Sequence, residues 1–401
     1  MPNLREKLDN LYCGLCSLAV FRNLLDDSVI SALANLMREQ AEDNHFSIDS
    51  YSGFVSELYR HSANLSTYIL DAVLNDDNFY IVRKGAGFTE SEPEIENAVY
   101  NELGILQEIS CLSPDDLQCG YYRNITLPRW RNSEIDFVPE YRKHVEDIGK
   151  YGYGKYRKNI MFNLKNGRTF PVSSPDRQKL SELFGYERER NAVINNTLAL
   201  INGKKAQNVL LYGDAGTGKS STVKAVVNEF ADRGLRLVEI TKEQLRDIPA
   251  LIDELSKNPL KFIIFIDDLS FTAGEDCFGA LKAVLEGSVS SRSDNTVIYA
   301  TSNRRHLIKE SFSDRDGDDV HRNDTMQEML SLSARFGLRV NFSRPDKKNY
   351  TAIAVELAKA NNINLTDDEI ILKAEQFAIS SGNGRSPRTA RQFINQLIME
   401  M

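Results

Sequence analysis

The sequence predicts an α/β fold: a five-stranded parallel sheet with helices on both faces, a mostly helical region before it and a small helical region after it. Three observations predict this. From Arg177 onward, short apolar runs rich in β-branched residues alternate with helix-length segments, the pattern of strand, crossover helix and parallel strand. Ahead of that region apolar residues recur near a 3.6-residue spacing instead, and after Pro345 no strand-like run returns. The chain has 401 residues, 41% hydrophobic and 26% charged, enough for two or three compact units with sizeable cores.

Residues 1–148 read as an acidic, mostly helical first domain. Leu18, Phe21, Leu24 and Leu25, then Val29, Leu33, Leu36 and Met37, keep helical spacing. These residues hold 12 Lys and Arg against 25 Asp and Glu, so the overall charge of −8 divides into −13 here and +5 over the rest. An acidic surface is a poor match for a phosphate backbone, whose affinity comes mainly from cationic contacts. Residues 149–180 read as a connector of partial regularity, interrupted by Pro171, Pro175 and the glycines of residues 149–154. Its stretch from Gly149 to Arg168 is basic, with Tyr151, Tyr153, Tyr156 and Phe162 interleaved, a composition that suits stacking on bases or packing against a neighbouring domain. Strands are expected at Asn208–Tyr212, Leu235–Ile240, Phe262–Ile266, Val297–Thr301 and Leu338–Phe342, within a core spanning 181–344. Residues 345–401 form the last helical domain, with helices at Tyr350–Ala360, Asp367–Ser380 and Pro387–Met399; Thr366 and Glu369 are spaced as a capping box for the second.

No apolar run approaches the roughly 18 residues of a membrane span. The first thirty residues lack the basic start, apolar stretch and small-residue cleavage site of a secretory signal, so a cytoplasmic protein is expected. Five scattered cysteines fit reduced thiols better than a disulfide framework. Cys13, Cys16, Cys111 and Cys119 lack zinc-knuckle spacing, Cys13 and Cys16 read as small hydrophobes of a helix, and the five histidines show no ligand pattern.

The first expected strand of the core runs into Gly213-Asp214-Ala215-Gly216-Thr217-Gly218-Lys219-Ser220, and Ser221 opens a helical stretch that stops at Gly234. This is G-x-x-x-x-G-K-S in its strand, loop, helix setting. Glycines let the loop curl so that its backbone N–H groups point at phosphate oxygens, and the helix behind aims its positive end at the same point. Lys219 would neutralise the β and γ phosphates of ATP, and the Ser220 hydroxyl would bind a Mg²⁺, which prefers hard oxygen ligands. The apolar strand Phe262–Ile266 ends in Asp267 and Asp268. In an open α/β sheet such strand ends line the ligand edge, so Asp267 is expected to hold Mg²⁺ and Asp268 to polarise the attacking water.

These elements resemble the AAA+ ATPases, a class of P-loop NTPases. More closely, residues from about Gly149 to the C-terminus resemble an uncharacterised bacterial family of predicted AAA+ ATP-binding proteins. The resemblance is carried in order by Gly185-Tyr-Glu-Arg188, the loop and its strand, Asp267-Asp-Leu-Ser-Phe271, Leu281–Gly287, Tyr299–Leu307, Leu332–Leu338 and Ser386–Phe393. It implies that Asn303 is the polar sensor beside the γ phosphate, that Arg335 is an arginine finger offered to a neighbouring subunit, and that Arg388 is the second sensor, on a helical lid. Arg304, Arg305 and Arg391 are neighbours suited to the same tasks. The family segment that matches 149–168 lies just before the ATPase core, which favours packing for that stretch. One departure stands out: Asp268 occupies the position where AAA+ proteins usually carry Glu. A side chain one methylene shorter reaches the water less well, so slow hydrolysis is expected, with Glu275 as a possible substitute base. The expected protein is an ATP-hydrolysing homo-oligomer that remodels or recruits a protein partner through its first domain. The alternatives are an initiator-like nucleic-acid ATPase and a non-hydrolysing ATP switch.

Overall fold

Apolar residues spaced three and four apart place a stripe on one side of a helix, and in the first part of the chain those stripes meet. The computed structural model describes residues 4–43, 47–88, 90, 92–117, 125–270, 277–286, 294–303 and 333–400. The chain divides into two compact units, Met1–Lys158 and Asn159–Met401. The first is built from helices Leu4–Cys16, Ser28–Asp43, Ile48–Tyr59, Leu65–Asn75, Phe79–Gly85, Pro93–Ser110 and Phe137–Glu146. Val29, Leu33, Leu36 and Met37 are fully buried in its core with Tyr51, Phe54 and Leu106. Asn64 and Asn78 start two of the helices by accepting the N–H of Thr67 and Ile81.

Two sequence expectations are corrected here. Leu18–Leu25 is not α-helical; the chain turns and then forms a 3-10 segment, Arg22–Asp26. The buried carboxylate of Glu102 accepts the N–H groups of Ala19 (2.9 Å), Val20 (3.0 Å) and Phe21 (3.0 Å), diverting donors that a helix would use internally. Cys13 and Cys16 are exposed, as is Cys111; Cys119 lies outside the described residues.

The second unit holds a sheet of β1 (Met161–Lys165), β2 (Arg168–Pro171), β3 (Val209–Gly213), β4 (Leu235–Ile240), β5 (Lys261–Ile266), β6 (Thr296–Ser302) and β7 (Leu338–Phe342), in the order β2-β1-β4-β5-β6-β3-β7. The pair β1–β2 is antiparallel and every other neighbouring pair is parallel. The five expected strands are β3 to β7, and the sheet is wider than expected because the connector supplies β1 and β2. Those two escape a search for apolar runs for a physical reason. β2 is an edge strand that buries only Thr169, and β1 interleaves Asn163 and Lys165 with Met161, Phe162 and Leu164. The residues of this basic stretch are engaged in structure: Tyr153 lies in the first unit's core, Phe162 is fully buried, and Arg157 and Lys158 pair with Asp71 at 2.9 and 2.6 Å.

Helices Lys347–Ala360, Asp367–Ser380 and Pro387–Glu400 pack around Tyr350, Ala354, Ile370, Phe393 and Ile394. The Thr366–Glu369 capping box is formed. Among the described residues no helix is long and apolar enough to cross a membrane.

Candidate functional site

The parallel register brings the ends of β3, β5 and β6 to one edge. Gly213 pairs with Phe342, Tyr212 with Ser302 and Ile266 with Ala300. Gly213 has φ 134°, and a Cβ there would lie 2.2 Å from the Phe342 carbonyl oxygen, so only glycine leaves the strand into the loop this way. The loop is then closed on itself: the Thr217 hydroxyl donates to the Asp214 carbonyl at 2.8 Å, and the Asp214 carboxylate accepts the N–H of Arg344 at 2.7 Å. Gly218, also left-handed at φ 93°, precedes the helix Lys219–Phe230, which has no side-chain cap at its start. Its first-turn N–H groups lack intrahelical partners, which is what an anion needs.

Lys219 is buried, at 5% exposure, rather than extended into solvent. Its ammonium donates to the carbonyls of Gly213 (3.1 Å) and Asp214 (2.7 Å) and to Asn303 Oδ1 (3.0 Å). Burial pushes its pKa below the usual lysine range, against the opposing pull of Asp214, Asp268 and Asp267. Asn303 bridges onward, its amide donating to Asp268 Oδ1 at 2.7 Å. Asp267 Oδ1 accepts from Ser220 Oγ and Thr301 Oγ1, each at 2.6 Å. Asp268 has φ 52° and is held there by its N–H, which donates to Thr301 Oγ1 at 2.9 Å. Thr301 was not singled out in the sequence; its signal was a hydroxyl residue two positions before Asn303, on the strand that neighbours β5. Ser220 and Asp267 offer hard oxygens side by side next to a lysine, a donor set that suits Mg²⁺ accompanied by phosphate.

Arg388 meets the loop from the last helix: its N–H donates to the Gly216 carbonyl at 3.1 Å, and a Cβ on Gly216 would lie 3.2 Å from Arg388 Cβ. The loop, Asp267, Asp268, Asn303 and Arg388 line one cleft of about 420 Å³, which continues to an apolar wall of Leu183, Phe184, Ile353 and Leu357. Arg335 is not among the described residues that line it. It precedes β7, whose Leu338 pairs with Val209 at the far end of β3. With a rise of about 3.3 Å per residue, the strand sets Leu338 roughly 13 Å from the loop edge, and Arg335 stands three residues before it in a short helical turn. Glu275, Arg304 and Arg305 lie outside the described residues.

The family described as "Protein of unknown function (DUF815)" matches residues 157–401. The chain belongs to the DUF815 family. The matched region contains every site residue named above. The chain is 25% identical over 237 residues to the ATP-dependent zinc metalloprotease FtsH of Mycoplasma pneumoniae, covering 54% of this chain and 31% of that protein. It is 28% identical over 195 residues to the 26S proteasome regulatory subunit 4 homolog of Dictyostelium discoideum, covering 44% and 39%. It thus spans about a third of the length of these curated relatives. Solved structures of Thermotoga maritima RuvB mutants align with 54% of the chain and about 64% of their own, at 16% and 15% identity and TM-scores of 0.38 and 0.36. With its phosphate-loop motif, its parallel strands and its sequence similarity, this DUF815 member is of the AAA+ ATPase class.

Proposed function

We propose that this chain binds ATP with Mg²⁺ in the cleft and hydrolyses it slowly, as one subunit of a homo-oligomer that remodels or recruits a protein partner. The observation that carries the reading is a continuous chain of contacts along the cleft floor, in which Lys219 is bonded to Asn303 and Asn303 to Asp268, while Ser220 is bonded to Asp267. Residues from three separate segments thus converge where a terminal phosphate would lie.

In this reading the loop N–H groups and Lys219 bind and orient the phosphates, with Lys219 exchanging its carbonyl acceptors for phosphate oxygens. Ser220 and Asp267 would hold the Mg²⁺, which supplies neutralisation of the charge on the transferring group. Asp268 accepts the proton of the attacking water, and Asn303 orients the Asp268 carboxylate. The short reach of Asp268, already engaged by Asn303, supports slow turnover. Arg388 ties the angle of the lid to the state of the loop. Arg335 is not among the described residues that line the cleft, which supports its acting on the nucleotide of a neighbouring copy.

The acidic first unit supports a protein partner over nucleic acid, as does the engagement of Tyr153, Phe162, Arg157 and Lys158 in structure. The test is phosphate release from ATP. Release is expected to be slow, to require Mg²⁺ and to vanish in Asp267→Asn. Release that persists in excess chelator or in the variant counts against the metal site, and tight ATP binding with no release at all points to a non-hydrolysing switch.

A further inference from the structure

Between β2 and the helix Glu187–Ile201 the chain forms an irregular strap that crosses beside the helix of the phosphate loop. Asn228, on that helix, pins the strap by donating to the carbonyls of Asp176 (2.8 Å) and Gln178 (2.9 Å). The side chain of Gln178 then has partners on both sides. Arg391 only donates, which fixes the amide orientation: the oxygen faces both terminal nitrogens of Arg391, at 2.6 and 2.8 Å, and the nitrogen faces Ser221 Oγ at 3.1 Å. Arg391 lies on the last helix, one turn beyond Arg388, and also donates to the Glu182 carbonyl at 3.2 Å. Gln178, Ser221 and Arg391 all line the cleft.

Their place along the cleft follows from helix geometry. Lys219 turns toward Asn303 and Ser220 toward Asp267, while Ser221, about 100° further round the helix, turns instead to Gln178. Gln178 therefore faces a side of the cradle other than that of the carboxylates, within a cleft whose lining also includes Leu183 and Leu357. A nucleotide with its last phosphate at Lys219 would pass its sugar-side phosphate by Ser221 and Gln178.

We propose that Gln178 is a positioning residue for that sugar-side phosphate, and that it couples occupancy there to the lid by holding Arg391 against the loop helix. The inference rests on the nucleotide reading above. The amide is chemically specific to the task, because the position needs a donor toward the phosphate and an acceptor toward Arg391, while the Ser221 hydroxyl can serve in either sense. A carboxylate meets the second need better than the amide does and the first not at all.

That asymmetry gives a test in which a merely structural role predicts the opposite sign. In Gln178→Glu the pairing with Arg391 becomes charge-assisted, so the melting temperature is expected to hold or rise. A negative charge beside the phosphate is expected to weaken ATP and ADP alike about tenfold, measured by calorimetry. In Gln178→Ala, binding through Lys219 persists, but nucleotide no longer slows hydrogen exchange in the first turns of the helix Pro387–Glu400. Arg391→Ala is expected to lose the same protection, and the double variant to lose no more than either single one. Three results would overturn the inference: Gln178→Glu binding both nucleotides as the natural protein does, a loss confined to ATP, or additive single effects. If the natural protein binds neither nucleotide, this inference and the nucleotide reading fall together. If it binds them and Lys219→Ala does not, an indifferent Gln178→Glu removes this inference alone.

Discussion

Replacing Lys219 by alanine separates ligand binding from folding more cleanly than any other change in the cleft. The ammonium is buried and already desolvated, yet its three partners are neutral oxygens. Bound phosphate would replace two carbonyls with anionic oxygens. Hydrogen bonds of that charged kind contribute roughly 1.5–3 kcal/mol each, so two of them are about 3–6 kcal/mol. That corresponds to a rise of roughly 10² to 10⁴ in the Kd for ATP. Folding loses only bonds to neutral acceptors that face an open cleft, where water can take over, and the cost is about 1–2 kcal/mol. Calorimetric titration with Mg-ATP reads the first effect and thermal melting the second. The expected result is little or no measurable ATP binding with a melting temperature lowered by only a few degrees. A Kd within threefold of the natural protein, in a variant shown to be folded, would refute the assignment of the phosphate loop.

Three further outcomes are expected. Arg335→Ala is expected to bind ATP but to lose turnover, by about 10³-fold or more if it acts like other arginine fingers. Mixing it with Lys219→Ala subunits is expected to restore activity, since each mixed interface has one intact loop and one intact finger; mixed oligomers that stay inactive would rule out action in trans. Glu102→Ala strands the N–H groups of Ala19, Val20 and Phe21, and is expected to cost about 3–5 kcal/mol in chemical denaturation, whereas Glu102→Gln, which keeps an acceptor, recovers part of that. His144 is buried, and burial, aided by Arg157, lowers its pKa from 6.5 to about 4. The folded form holds the imidazole neutral while the unfolded chain takes up the proton, so this contribution is complete above pH 6.5 and is lost as the pH falls to about 4. The loss is about 3 kcal/mol, and His144→Phe is expected to flatten the dependence of the urea midpoint between pH 7 and 4.5; an unchanged slope would exclude His144 as its source.

Features that are local or periodic can be read from the order of residues alone. The phosphate loop is legible because one contiguous stretch must supply both the curl and the helix start, so Gly213, Gly216, Gly218 and Lys219 stand together. The run Phe262–Ile266 is legible because a strand buried on both faces has to be apolar there, and the Thr366–Glu369 box because a cap is made three residues from its partner. The convergence of Asp267, Asn303 and the loop needed one further rule, that parallel strands share a ligand edge. Tertiary structure alone decided the rest. The edge strand β2 has no apolar run to betray it, since one buried residue is all an edge of this kind requires. Leu18–Leu25 keeps helical spacing yet is bent by a carboxylate some eighty residues away in the chain. That Lys219 is enclosed by the loop carbonyls and Asn303 is decided only when β6 brings Asn303 beside the loop. Gln178 has no signature because its partners, Ser221 and Arg391, are distant in sequence and meet it only once the strap and the last helix have packed. Spacing along a chain encodes contacts within one element; contacts between elements depend on how their surfaces fit, which is fixed only when the units have folded.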